Sequence, residues 1–358
     1  MRVLILWADD RSPNLGVRVL AEGTAALVRR VWADAECVFQ NYGRRIPELP
    51  IGSKRALIKE RVLGRRGMMR WLAGFDLIVD TRAGDSFADI YGLPRLEIMS
   101  LISEFATQTG VPVVLGPQTI GPFDTRLGQL IGRRTMSRAT AVMARDSASL
   151  ECAAGMGIEA DLLTTDVVFA LPVPVVAKSR DVVLNVSGLL WNENPHVDHT
   201  AYRRVLVTLA RELSAEGRSV SLLAHVLDSP VKDNDVPAVR EFAAMQDHEV
   251  ELIIPDDLQQ VREAAASAEV VIGSRMHACL NALSVGTPAI PLAYSRKFAP
   301  LLGALGWDAT VDLRSDPDPA IRVLKHLRDD HLLSATAQLR ERADGLLVGA
   351  ERSLRDAL

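Results

Sequence analysis

The chain has 358 residues, of which 48% are hydrophobic and 24% charged, with a formal net charge of -4 and a sequence pI near 6.0. That length exceeds the range of one hydrophobic core and suits two α/β domains, while the charge balance excludes a general nucleic-acid surface and leaves room for a local basic pocket. Three isolated cysteines, Cys37, Cys152 and Cys279, offer no Cys-x-x-Cys metal pair and suit a reducing cytoplasm.

Residues 3–7 form the short apolar run of a buried strand, followed by a loop over 8–16 and helical spacing over 17–31. The opening run is too short for a signal peptide and no later run reaches membrane-spanning length, so a cytoplasmic protein is expected. Residues 54–70 read as a basic amphipathic stretch, which fits a solvated helix face or a surface lying near a membrane. Residues 76–80 and 111–116 repeat the buried-strand pattern, and each ends in a glycine-containing loop, one with Asp85 and one with Gln118. Loops of this kind stand at the carboxyl ends of parallel strands, where open α/β sheets bind ligands. A strand over 139–144 ends at Arg145, and a helix is expected over 147–156.

Two prolines and polar residues over 172–180 suit a linker, so the border between an N-terminal domain, 1–175, and a C-terminal domain, 176–358, is expected there. A second series follows. Strands are expected over 181–186, 219–224, 250–254, 269–273 and 289–292, and helices over 200–216, 237–245, 258–266 and 278–285. Pro237 is acceptable as a first helical residue. The loop 188–199 is a candidate cover for a cleft, and its His196 and His199 lack the ligands that would complete a metal site. Residues 326–358 are expected to close the chain as a helix pair. Alternation of this kind predicts two Rossmann-like, doubly wound domains facing a central cleft.

The strongest local signal is the turn Ser274-Arg275-Met276-His277, set between a β-branched strand and an apolar helix. Ser274 is the natural N-cap there, and a helix start favours an anion through its unpaired N–H groups and dipole. Arg275 adds a planar fork suited to phosphate or carboxylate, and His277 a group able to move a proton near neutral pH. Arg145, at the corresponding strand end of the first half, could supply a second fork. His225, after the strand over 219–224, is a candidate to line the cleft.

These residues carry a resemblance. Residues 274–298, from Ser274-Arg275-Met276-His277 to Lys297-Phe298, resemble the signature of the polysaccharide pyruvyl transferases. Gly116-Pro-Gln118-Thr-Ile-Gly-Pro-Phe123 is similar to that family's Gly-Gln-Ser-Ile-Gly-Pro-Phe loop. Arg145-Asp146 with Ser149, Asp166-Val-Val-Phe169, and Ala224-His225 followed by Asp233 and Asp235 match further segments in order. The chain departs from the family pattern near its start. Asn14-Leu-Gly16 lacks the expected acidic residue, and Ala83-Gly84-Asp85 stands where three glycines are usual.

The resemblance implies a glycosyltransferase-B-like pair of domains, phosphoenolpyruvate as co-substrate, and transfer of its pyruvyl group to two hydroxyls of one sugar. It implies Ser274, Arg275, Met276, His277, Arg145 and Lys297 on the donor side, with His277 and Arg275 catalytic. Lys297 is one of only six lysines and is assigned a phosphate contact. Asn14, Asp85, Gln118, Asp166 and His225 are the acceptor-side or cleft candidates. The scheme requires no metal and no further cofactor. The expected partners are phosphoenolpyruvate and a saccharide acceptor, no nucleic acid, and at most peripheral membrane contact; a lipid-linked acceptor and a homo-oligomer are both compatible with it. Two other functions fit the pattern less well: a nucleotide-sugar-dependent glycosyltransferase of the two-domain type, and a non-catalytic sugar-binding relative.

Overall fold

A computed structural model of the protein describes residues 1–42, 53–230 and 233–358. The chain divides into two compact units, one formed by Met1–Asp10, Leu20–Leu171 and Ala343–Leu358, the other by Arg11–Val19 and Pro172–Arg342.

The first unit is built on six parallel strands: β1 (Arg2–Leu6), β2 (Glu36–Gln40), β3 (Leu77–Asp80), β4 (Val113–Gln118), β5 (Ala141–Ala144) and β6 (Leu162–Leu163), in the order β2-β1-β3-β4-β5-β6. Its helices are α1 (Leu15–Val31), whose first residues count with the other unit, α2 (Lys54–Leu63), α3 (Met68–Leu72), α4 (Leu93–Thr107), α5 (Arg126–Arg138) and α6 (Ser147–Gly155). The central strands β3, β4 and β5 are buried along their whole length, as a parallel sheet covered on both faces requires. Helix α4 is buried at Leu96, Ile98, Met99, Ile102 and Phe105.

The second unit repeats the plan with β7 (Arg180–Asn185), β8 (Val220–Leu223), β9 (Leu252–Ile253), β10 (Ala268–Gly273), β11 (Ala289–Ala293) and β12 (Val311–Asp312), ordered β12-β11-β10-β7-β8-β9 and all parallel. Its helices are α7 (Gly188–Trp191), α8 (His199–Ala215), α9 (Asp235–Ala243), α10 (Leu258–Ala266), α11 (Met276–Ser284), α12 (Phe298–Ala304) and α13 (Pro319–Leu327); α14 (Leu332–Asp356) ends in the first unit. In each sheet the chain starts in the middle, runs to one edge, and returns to the other side. The ligand crevice of such a fold opens at the carboxyl ends of the two strands flanking that reversal: β1 and β3 in the first unit, β7 and β10 in the second.

Several expectations need correction. The chain changes unit at Leu171–Pro172, and Arg11–Val19 and Ala343–Leu358 each belong to the unit opposite to the expected one. Backbone pairing accounts for the first segment: Asn14 bridges Val226, the Leu15 N–H donates to the His225 carbonyl (3.2 Å), and that of Leu227 to the Pro13 carbonyl (2.8 Å). The second is held in the first unit by the Arg30–Glu351 ion pair (3.6 Å) and by Leu162 packing on Gly349. The expected loop over 188–199 begins as helix α7, with Leu190 and Trp191 in the core. A Cβ at Gly188 would lie 1.8 Å from the Asn234 carbonyl oxygen, so only glycine allows α7 to meet the start of α9. Helix α9 is capped by Asn234 and starts at Asp235, two residues before the expected Pro237.

Candidate active site

The carboxyl edge of the second sheet is tied together by three side chains. The Asn185 amide donates to the Leu223 carbonyl (3.0 Å) and accepts from the Arg275 N–H (2.9 Å), joining the ends of β7, β8 and β10. The Tyr202 hydroxyl accepts from the Ser187 N–H (3.0 Å) and lies 2.8 Å from Ser274 Oγ. Burial pushes that phenol up to about 12, so it stays protonated and serves as a buried strut. Asp235 accepts from the N–H groups of Gly188 (2.7 Å), His225 (3.0 Å) and Val226 (2.9 Å). It also receives Arg275 Nη2 at 2.6 Å, while Asp233 receives the same nitrogen at 2.5 Å.

These bonds change the reading of the signature turn. Ser274 is fully buried against Tyr202 instead of capping the helix. The N-cap of α11 is Arg275, which makes no side-chain cap bond. Burial works against the Arg275 charge, but Asp235 and Asp233 more than offset it and raise its pKa. Its Nε and Nη2 are taken up by carboxylates, so Arg275 is not the open anion clamp expected from the sequence.

His277, one residue into α11, is partly exposed. A Cβ added at Gly16 would lie 2.8 Å from His277 Nδ1 and 3.1 Å from Asn14 Oδ1, so the first turn of α1 lies directly against the imidazole. Two helix N-termini, each the positive end of a dipole, therefore meet at this ring within the second unit. Asn14, expected on the acceptor side of the N-terminal domain, belongs here; its Oδ1 accepts from the Gly16 N–H (3.0 Å).

His225 is buried, and a chain of hydrogen bonds fixes its protonation. Arg262 Nη1 donates to Asn281 Oδ1 (3.1 Å); guanidinium only donates, so the amide orientation is fixed. Asn281 Nδ2 then donates both to the His277 carbonyl (2.8 Å) and to His225 Nε2 (3.2 Å). His225 Nε2 is thus an acceptor and the ring is neutral with its proton on Nδ1. Burial first, then His277 and Arg275, hold its pKa well below 6.5. Lys297 stands at the start of α12. Burial pushes the Tyr294 hydroxyl up, and Arg275 and Lys297 both act on it in the opposite sense, which puts both cations within electrostatic reach of one ring.

The remaining candidates lie in the first unit, at the carboxyl edge of its sheet. Arg145 is buried, with Nε on Thr119 Oγ1 (2.9 Å) and Nη1 on Asp166 Oδ2 (3.1 Å). Asp166 also caps the turn Val167–Ala170 by accepting from the Val168 N–H (3.0 Å). Arg145 is therefore half of a buried ion pair, not the open donor-side fork expected. Gln118 ends β4 with its carbonyl on the Arg145 N–H (3.1 Å), and its buried side-chain amide has no hydrogen-bond partner among the described residues. Asp85 accepts from the Tyr91 hydroxyl (2.9 Å) and follows a strained turn in which Arg82 and Ala83 have φ of 48° and 51°. Arg82 is fully buried, bonded to Asp80 (2.9 Å) and Ser100 (2.9 Å) and stacked over Phe87.

Gly16, Tyr202, Asn281 and the Asp233/Asp235 pair carry roles that were not expected from the sequence. Asn281 had a usable signal, since it lies four residues after His277 and so on the same helix face.

The fold is that of glycosyltransferase-B-like proteins, two Rossmann-like units with parallel sheets. Solved structures similar over nearly the whole chain include a putative UDP-N-acetylglucosamine 2-epimerase from Listeria monocytogenes (12% identity, 99% of this chain and 97% of that one, TM-score 0.62). Another is HepE from Anabaena in complex with UDP and glucose (12% identity, 99% and 98% coverage, TM-score 0.59). The chain belongs to the polysaccharide pyruvyl transferase family, whose model matches residues 42–296. It is also 23% identical over 256 residues to the amylovoran biosynthesis protein AmsJ of Erwinia amylovora, a match covering 66% of this chain and 60% of that relative's length.

Proposed function

We propose that the protein transfers a pyruvyl group from phosphoenolpyruvate to two hydroxyls of one saccharide residue, forming a cyclic ketal and releasing phosphate. Family membership supports the reaction class and a saccharide acceptor, and the relative AmsJ is an amylovoran biosynthesis protein by name. Both sugar oxygens bond to C2 of the enolpyruvate. One hydroxyl proton goes to C3, which becomes the methyl group, and the other leaves with the phosphate. The reaction thus needs a group that accepts a proton from oxygen and delivers one to carbon beside a bound dianion.

The observation that carries the assignment is the contact between Gly16 and His277 at the meeting of two helix N-termini. The helix ends and Lys297 favour the dianion, and His277 moves the proton. Arg275 acts as a positioning cation, because its fork is engaged by Asp233 and Asp235. Buried His225 stays neutral, so it adds no charge to the site.

The test uses purified protein. Phosphoenolpyruvate alone should raise the thermal unfolding temperature, and His277→Ala should keep that protection while losing roughly 10²–10⁴ in phosphate release with a competent acceptor. Protection by a UDP-sugar but not by phosphoenolpyruvate would transfer the reading to nucleotide-sugar chemistry. Undiminished phosphate release by His277→Ala would remove the acid/base role.

A further inference from the structure

The segment 54–70 carries seven Lys and Arg against one acid, Glu60, and its geometry separates the two signs. Helix α2 buries Leu57 and Glu60 and packs against α3 and α4. The Glu60 carboxylate turns inward to accept from the N–H groups of Arg66 (2.8 Å) and Met68 (3.3 Å), which pins the turn after the helix. The outward stripe, spaced as one helix face, is Arg55, Ile58, Lys59 and Val62, continued by Arg65 and Arg66 beyond the Gly64 cap.

Its apolar members and the neighbouring Leu63 are exposed. Val62 is 77% exposed, Leu63 47% and Ile58 44%. Helix α5 adds a second edge: of its four arginines, Arg126 and Arg133 are exposed while Arg134 and Arg138 pair with Glu104 of α4 (3.0 and 3.2 Å), and Leu130 is 64% and Leu127 44% exposed. Between the two edges lies a groove of about 270 Å³ lined by Lys54, Leu101, Leu127 and Ile131 and by Glu97 and Glu104. These acids pair with Lys54 (2.8 Å) and Arg134 (3.0 Å), so among the described residues the unpaired excess of cations lies chiefly on the α2 stripe and its continuation.

We propose that this face of the first unit docks on an anionic lipid bilayer, with aliphatic tips entering the headgroup boundary and the cations around them meeting lipid phosphates. The argument is charge complementarity combined with exposed aliphatic residues. A single-stranded nucleic-acid site would instead interleave its cations with aromatic platforms, and the stripe has none, while a duplex site would have no use for exposed aliphatic tips. Such docking would let the protein work on an acceptor held at a membrane, whichever reaction it performs.

Co-sedimentation of the full chain with vesicles tests this. Binding is expected to phosphatidylcholine vesicles containing about one-third phosphatidylglycerol, to weaken with salt, and to be absent from pure phosphatidylcholine. Lys59→Glu with Arg65→Glu and Arg66→Glu should lower vesicle affinity roughly a hundredfold or more, and Val62→Ser with Leu63→Ser should remove the salt-resistant part. Arg211→Glu with Arg328→Glu, on exposed positions of the second unit, should leave binding unchanged. All these positions are exposed, so the variants should keep their unfolding temperature and any protection by phosphoenolpyruvate, which separates this outcome from that of the reaction. Equal binding by the triple variant, binding indifferent to lipid charge, or equally tight binding to single- or double-stranded DNA would overturn the proposal.

Discussion

At Gly16 the missing side chain matters because of what stands opposite it. An added Cβ would meet His277 Nδ1 at 2.8 Å and the ring carbon Cγ at 3.2 Å. The neighbour is a side-chain ring able to rotate away, and alanine is the better helix former by about 1 kcal/mol. Gly16→Ala should therefore leave thermal stability within about 1 kcal/mol of the parent while displacing the imidazole. Displacements of about 1 Å at a reacting group cost up to roughly a hundredfold in rate, so turnover should fall ten- to a hundredfold. In a His277→Ala background the same substitution should cost almost nothing more, since the two act through one group. Wild-type turnover in Gly16→Ala would mean that this ring is not the proton carrier. The sequence singled out His277 for its place at a strand–helix turn. It could not reveal Gly16 as its neighbour, because a contact across some 260 positions leaves no local pattern.

Between elements, Asp235 joins the ends of three strands and the start of a helix. It lies at the first position of α9, receives N–H groups from the segments following β7 and β8, and pairs with the arginine that follows β10. It is fully buried, so Asp235→Ala would leave three N–H groups unmet and Arg275 with only the half-exposed Asp233. Breaking a buried pair of this kind costs about 3–5 kcal/mol, and urea titration should show a loss of that size. A loss below about 1 kcal/mol would mean that water or Asp233 replaces it fully. The sequence displayed Asp233 and Asp235 only as a pair of acids after a histidine, since side-chain bonds to backbone N–H groups have no periodicity to read. Elements differed in legibility for similar reasons. The strands β3, β5, β7 and β10 were visible as β-branched or apolar runs. Helix α4 is apolar on nearly every side and so lacks a clear stripe, and α5 carries two glycines among arginines; neither announced itself.

Across the whole molecule, alternation of strand and helix predicts two doubly wound sheets, and this layer of the fold was the most legible, although the edge strands β2, β6 and β12 were not among those expected. What alternation could not convey is the exchange of Arg11–Val19 and Ala343–Leu358 between units, which depends on distant backbone bonds for the first segment and on a distant ion pair and packing for the second. One consequence concerns stability against pH, because the exchanged loop donates to the backbone carbonyl of His225, whose ring is kept neutral. The folded-state pKa of His225 is depressed, so below about 6.5 the unfolded chain binds a proton that the folded chain refuses. Its contribution to stability is complete above that pH and is lost as pH falls toward the depressed folded value, at up to about 1.4 kcal/mol per pH unit. His326 is also lowered, chiefly by burial, and contributes in the same direction, so the informative quantity is a difference. His225→Gln can still accept from Asn281 and has no proton to refuse. The unfolding free energy of the wild type should fall more steeply than that of His225→Gln between pH 7 and pH 5, with the two curves parallel above pH 7. Parallel curves throughout the acid range would mean that His225 takes up a proton in the folded protein as readily as in the unfolded one.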